Sequence, residues 1–175
     1  MKQDERLWSP VSYSYSQIGQ QKVMEQTRKQ YGSRISILGL WQAGEIFEYG
    51  LVQGGFKGKS YIKVMDWIAQ KAASNLQETG KLTVIVQDNS PIHKSQEVRA
   101  SWSDWAEPGL LLFFLPPYCP DMNDIETQWH QLKSHEIAGQ MFDNEYDLAM
   151  TVIQGMKNRA EIGNCQIERF IFNST

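Results

Sequence analysis

Apolar and polar residues alternate from Ser33 to Leu40, and again from Glu45 to Gln53 beyond a turn at Gln42-Ala43-Gly44. Alternation with β-branched residues around a glycine turn predicts a hairpin. From Ser60 to Leu76 the spacing changes: Ile62, Met65, Ile68, Ala69, Ala72 and Leu76 recur at helical intervals, and Gly80 ends the segment. This predicts a crossover helix with a glycine terminator. Leu82 to Val86 is a short apolar run, predicted to be a strand buried on both faces, and it stops at Gln87-Asp88-Asn89. A helix capped by Ser95 is predicted to Trp105, then a second buried strand at Leu110 to Leu115, broken by Pro116-Pro117. Asn123 or Asp124 caps a helix to about Ile137, and Asn144 to Arg159 reads as another. The order describes a mixed α/β sheet with flanking helices, in which ligands gather beyond the carboxyl ends of the parallel strands.

Composition narrows the class. The 175 residues are 41% hydrophobic and 21% charged, without a repeat or low-complexity tract, which fits one globular domain rather than a disordered or fibrous chain. No apolar run reaches the roughly 18 residues of a membrane span, and Met1-Lys2-Gln3-Asp4-Glu5 offers no apolar core for a signal peptide. A cytoplasmic protein without a membrane partner is expected. Two cysteines, Cys119 and Cys165, make neither a disulfide framework nor a four-ligand zinc site by themselves. The net charge of −3 argues against nucleic-acid binding by the whole surface. Its distribution is uneven: residues 20–80 carry eight basic and five acidic side chains, residues 81–140 four and eight. An acidic half suggests a site whose charge is completed by a bound cation.

Two acids stand out in that half. Asp88 directly follows an apolar strand, which would display its carboxylate on a rigid base; an ordinary Asp-Asn turn explains it equally well. Glu126 opens a helix whose Ile125, Trp129 and Leu132 mark the buried stripe, where an acid also complements the helix dipole. Together, with 37 residues between them, they could hold one or two Mg²⁺ ions, which favour a few carboxylates plus water and phosphate oxygens. Asp4 is the candidate third acid. His93 could orient a phosphate or a carboxylate, or serve as a loop donor. Lys94, Arg99 and Lys133 could meet DNA phosphates or lie on solvated helix faces. Trp102 and Trp105 fit the core.

The run Asp88-Asn89-Ser90-Pro91-Ile92-His93-Lys94-Ser95, then Leu115-Pro116-Pro117-Tyr118-Cys119-Pro120-Asp121-Met122-Asn123-Asp124-Ile125-Glu126 with Trp129, resembles signature blocks of mariner-related bacterial insertion-sequence transposases. These are DDE enzymes with an RNase H-like catalytic domain. The resemblance covers most of residues 1–140 and implies Asp4, Asp88 and Glu126 as catalytic acids binding two Mg²⁺ or Mn²⁺ ions. It implies Asn89, His93 and Asn123 as auxiliaries, and Lys94, Arg99 and Lys133 as contacts to DNA. The implied reaction is DNA strand cleavage and strand transfer, with transposon ends and target DNA as partners and a homodimer as the assembly. Asp124 stands where the family usually has Pro, and Cys119 where it usually has Ser. Only three residues precede Asp4, so a first strand cut short is expected, without the amino-terminal helix-turn-helix region of full-length relatives.

Residues 1–140 are thus expected to form the catalytic domain, and residues 141–175 a helical extension of it. One rival keeps the fold as a truncated or repurposed remnant that binds DNA or a partner without cutting. Another, a glycosidase using a carboxylate pair, leaves the Asn-x-Ile-Glu-x-x-Trp block unexplained.

Overall fold

The computed structural model describes the backbone of residues 2–6, and residues 34–117 and 122–172 in full. Its strands are β1 (Lys2–Arg6), β2 (Arg34–Gln42), β3 (Ile46–Gln53), β4 (Thr83–Gln87), β5 (Leu110–Phe114) and β6 (Gln166–Phe170). Its helices are α1 (Gly58–Thr79), α2 (Gln96–Ala100), α3 (Trp102–Ala106), α4 (Ile125–Gln131) and α5 (Glu145–Ile162); α4 runs on into a π-helical segment, Leu132–Ile137. Strands β1, β2 and β3 pair antiparallel in that order, and β6 adds to β3 in parallel. Strands β4 and β5 form a separate parallel pair.

The period-two pattern of the hairpin serves two cores. Ile35 and Ile37 of β2, with Phe47 and Tyr49 of β3, pack against Ile125 and Trp129 of α4 and Leu148, Val152 and Met156 of α5. Leu38, on the opposite face, joins Tyr61, Val64, Met65 and Ile68 of α1, with Val98 and Trp105 of α2 and α3. Burying a side chain of this size stabilises the fold by about 1.5–3 kcal/mol before chain entropy is subtracted. The hairpin turn falls at Gly44 as predicted, in the left-handed region (φ 72°). Helix α1 ends at Gly80, whose N–H donates to the Leu76 carbonyl at 2.9 Å. Ser95 caps α2 by accepting from the Val98 N–H, and Asn144 caps α5 by accepting from the Asp147 N–H.

Three expectations are revised. The helix expected from Ser95 to Trp105 breaks at Ser101 into α2 and α3. The expected helical extension contains β6, which enters the sheet beside β3; there Lys71 of α1 bridges Glu48 of β3 and Glu168 of β6, its ammonium over the Trp67 ring at 4.2 Å. Strands β4 and β5 are not buried on both faces: Ile85, Leu110 and Leu112 pack toward α1, whereas Val84, Val86 and Phe113 are 50–56% exposed. Helices α4 and α5 lie over the β2–β3 half of the sheet and leave that second face open. The first strand is five residues long, places Asp4 opposite Ser36, and has β2 as its one strand partner among the described residues.

Gly39 of β2 fixes where α4 sits. A Cβ at that position would lie 2.6 Å and 2.7 Å from the Trp129 indole rim and 3.2 Å from Ile125. The indole is fully buried and cannot swing aside. Gly39→Ala is therefore expected to destabilise the protein by about 1–3 kcal/mol, the range for overpacking a core, measured by urea denaturation. An unchanged midpoint would mean that α4 shifts freely on the sheet.

Candidate active site

Strand β4 ends at Gln87 and delivers Asp88 to the carboxyl end of the parallel pair. The loop that follows is folded around that carboxylate. The Ser90 N–H donates to Asp88 Oδ1 at 3.0 Å, and the His93 N–H donates to the Ser90 carbonyl at 3.0 Å. His93 is buried beneath the loop, its Nδ1 lying 2.9 Å from Asp88 Oδ1 and 3.2 Å from the Asp88 carbonyl. With two oxygens facing Nδ1, the tautomer that satisfies them carries its proton there. The hydrogen bond from His93 is the main influence holding the Asp88 carboxyl below its ordinary range; the Ser90 N–H helps and partial burial opposes.

Below this loop, Tyr61 of α1 packs its ring on His93 with centroids 5.0 Å apart and donates its hydroxyl to Gln87 Oε1 at 2.7 Å. Burial drives the Tyr61 phenol well above its usual range, so it acts as a donor and not as a base. Sequence reasoning passed over Tyr61 and Gln87. Tyr61 falls on the apolar stripe of α1, and only the fold shows that the stripe passes under the loop.

Asn89 is a strut. Its amide Nδ2 donates to the Leu115 carbonyl just beyond β5, while its Oδ1 accepts from Lys94 Nζ, so the loop after β4 is tied to the end of the neighbouring strand. Asn123 precedes α4, where its carbonyl accepts from the Glu126 N–H at 2.9 Å. Glu126 thus occupies the first turn of α4, three residues before the anchored Trp129.

Glu126 senses the charge of Asp88. Burial pushes the Glu126 carboxyl up, the Asp88 charge pushes it further, and Lys133 of the π-helical segment draws it back. A half-buried carboxyl raised by burial and by a second acid favours a compensating cation, and the oxygen donors suit Mg²⁺ or Mn²⁺. Among the described residues no three His, Cys, Asp or Glu side chains cluster as a metal site. The Asp4 side chain, and Cys119, lie outside the described residues. The backbone places Asp4 in β1. Of the expected DNA contacts, Lys94 and Arg99 lie beside the Asp88 loop, and Lys133 lies near Glu126.

The sequence profile of the DDE superfamily endonucleases matches residues 5–149, most of the chain, so this protein belongs to that family. Asp88 and Glu126 lie inside the match, and Asp4 lies one residue outside it. A comparison with curated protein sequences finds no match. Among solved structures, the Mos1 mariner paired-end complex with Mn superposes with a TM-score of 0.62 at 17% identity, over 92% of this chain and 51% of that one. A pre-cleavage Mos1 transpososome gives 0.60 at 16% identity, over 93% and 53%. The Mos1 transposase catalytic domain with Raltegravir and Mg gives 0.52 at 17%, over 74% and 72%. At such identities the likeness is one of fold, the RNase H-like catalytic fold, and the chain spans about half the length of the first of these relatives.

The opposite shifts of the two acids give opposite pH dependences in the metal-free protein. Asp88, lowered in the fold, contributes stability above its unfolded value near pH 4 and loses it as pH falls through the folded value. Glu126, raised, favours the fold below that range and loses this contribution as pH rises through its folded value. In EDTA, Asp88→Asn is expected to be less stable than wild type at pH 7 and to converge with it in acid. Glu126→Gln is expected to gain on wild type as pH rises. Thermal melts from pH 3 to pH 8 read both, and curves parallel to wild type would remove the two shifts.

Proposed function

We propose that this protein is the catalytic domain of a mariner-related insertion-sequence transposase, cutting and joining DNA strands with Asp4, Asp88 and Glu126 as metal-binding acids. The observation that carries this reading is that Asp88, at the end of a parallel strand, acts electrostatically on Glu126, on a helix anchored to β2 and β3. The Asp88 charge helps to raise the Glu126 carboxyl, and the family match includes both. When bound, two Mg²⁺ or Mn²⁺ ions at such acids activate a water or DNA hydroxyl and stabilise the leaving oxygen of an in-line displacement at phosphorus. His93 holds one Asp88 oxygen and leaves the other free to face the ion. Asn89 keeps the loop on β5, and Asn123 starts the helix that brings Glu126. Lys94, Arg99 and Lys133 take DNA phosphates. Mos1 in a paired-end complex and in a transpososome has the same fold, which supports DNA ends as substrate; a homodimer is the assembly proposed to act on them.

Metal and DNA cleavage test the reading together. Mg²⁺ or Mn²⁺ should raise the melting temperature of the wild-type chain, since a ligand that binds only the folded state stabilises it. Asp88→Asn and Glu126→Gln should each lose that rise, and each should slow nicking of supercoiled plasmid by at least about 100-fold, as expected when a positioned electrostatic group is removed. Equal metal responses in wild type and variants would make the acids structural. DNA binding without metal-dependent nicking would favour the non-catalytic remnant.

A further inference from the structure

Beside the Asp88 loop, α2, α3 and the outer edge of β5 enclose a cleft of about 430 Å³, the low end of the range for small-ligand sites. Four of its side chains form a continuous stack. Lys94 Nζ lies 4.5 Å from the centre of the Phe114 ring, and Phe114 packs on Trp102 with centroids 5.5 Å apart. The Arg99 guanidinium lies 5.7 Å from the Trp102 ring. The two cations are further held together, Arg99 Nε donating to the Lys94 carbonyl at 2.8 Å.

Three features of this cleft call for a ligand. First, Lys94 and Arg99 sit in the acidic half of the chain, yet neither forms an ion pair with a carboxylate among the described residues; aromatic faces and neutral oxygens hold them instead. Their charge is left for an anion. Second, Trp102 and Phe114, both half-buried, line the cleft with aromatic surface. Third, β5 is an edge strand. The Thr83 N–H donates to the Gly109 carbonyl, and the Leu115 N–H to the Gln87 carbonyl. Odd-numbered residues of β5 therefore turn their backbone groups toward β4. Those of Leu110, Leu112 and Phe114 turn toward the cleft, where no strand among the described residues pairs with them.

A ligand with a negative charge, a flat ring and a polar ring edge matches all three features. We infer that the cleft seats one unpaired nucleotide of the DNA strand, its base against Trp102 and Phe114 and its phosphate on Lys94 and Arg99. This rests on the reading of the chain as a DNA-cutting domain and adds to it a preference for DNA with an unstacked nucleotide next to the cut. The link to the acid site is short: Lys94 Nζ donates to Asn89, the residue after Asp88. Stacking on aromatic rings tolerates any base, so the cleft selects for single-stranded character and not for sequence.

The test uses the 175-residue chain in EDTA and fluorescence anisotropy of labelled DNA, comparing a blunt duplex with the same duplex carrying a short single-stranded overhang. Wild type should bind the overhang substrate more tightly. Trp102→Leu should weaken overhang binding about ten-fold while changing blunt-duplex binding less than about two-fold, the range expected when one stacking platform is lost. Trp102→Phe should restore most of the preference. Lys94→Ala and Arg99→Ala, which spare the ring stack, should each reduce the salt dependence of overhang binding by about 0.7 in log–log slope. Equal losses on blunt and overhang DNA, or none in a Trp102→Leu protein whose circular dichroism and melting match wild type, would overturn the cleft. If Trp102→Leu does not fold, unchanged salt slopes in both cation variants overturn it. Because no metal is present, a chain that prefers overhangs through Trp102 yet never nicks DNA defeats the catalytic reading alone. A chain that nicks DNA but is indifferent to overhangs defeats the cleft alone.

Discussion

The seat of the Trp129 indole on Gly39 is the contact on which the site depends. Glu126 has no anchor of its own in the sheet; its position is inherited from the helix that carries it. Helix α4 is short, and an isolated helix of that length does not persist in water, so tertiary packing must hold it. The indole does so from one turn beyond the acid, against a β2 position where any side chain would keep it away. Ile125, beside Glu126 in sequence, packs into the same core. The acid is thus fixed by its apolar neighbours, and the free energy of burying Trp129 and Ile125 is what opposes the charge repulsion that Asp88 imposes on it.

Asp88 is fixed by a different device. Its loop closes over a buried histidine, which rests on a tyrosine from α1, which in turn bonds the last residue of β4. The two acids therefore report on opposite layers: Glu126 on the α4–α5 core and Asp88 on the α1–α3 core. The sheet between them sets their relation. Where α4 passes into its π-helical segment, Arg159 of α5 donates to Gln131 at 2.7 Å and lies 3.3 Å from Glu136, and Gly155 admits Leu132 at close range. These contacts hold α5 against α4 and complete the layer on which Glu126 rides.

Much of this was legible in the sequence where a residue's role is local. The hairpin, the Gly80 terminator, the Ser95 and Asn144 caps and the apolar stripe of α1 follow from spacing and from backbone needs that neighbours in the chain supply. What escaped was decided at a distance. Gln166 to Phe170 became a strand because β3 offers an edge and Lys71 draws Glu48 and Glu168 together, neither of which periodicity can express. Val84, Val86 and Phe113 read as buried because an unbroken apolar run does not say whether both faces are covered. At the site, Asp88 and Glu126 were legible as a pair of acids at element ends, and their nearness is a property of the fold. The support from Tyr61 and Gln87 was not legible, since both look like ordinary members of their elements.

The charge pattern along the chain takes on its meaning once these layers are in place. Residues 81–140 are acidic overall, which should repel a DNA backbone, yet this is the half that carries the site. Two arrangements resolve the conflict. In the proposed function, the Glu126 carboxyl, raised by burial and by the Asp88 charge, leaves a deficit that a divalent ion would fill, turning a repulsive point of the surface into an attractive one for phosphate. Two cations of the same half are withheld from the acids: Lys94 and Arg99 are held over aromatic rings, where they keep their charge available to a ligand. Had either formed an ion pair with Asp88, the deficit that draws the metal would be smaller, and the neighbouring surface would have lost a contact for DNA. Keeping the two kinds of charge apart, with the neutral amide of Asn89 between them, is what the proposed function asks of a segment that would bind a cation and a polyanion side by side.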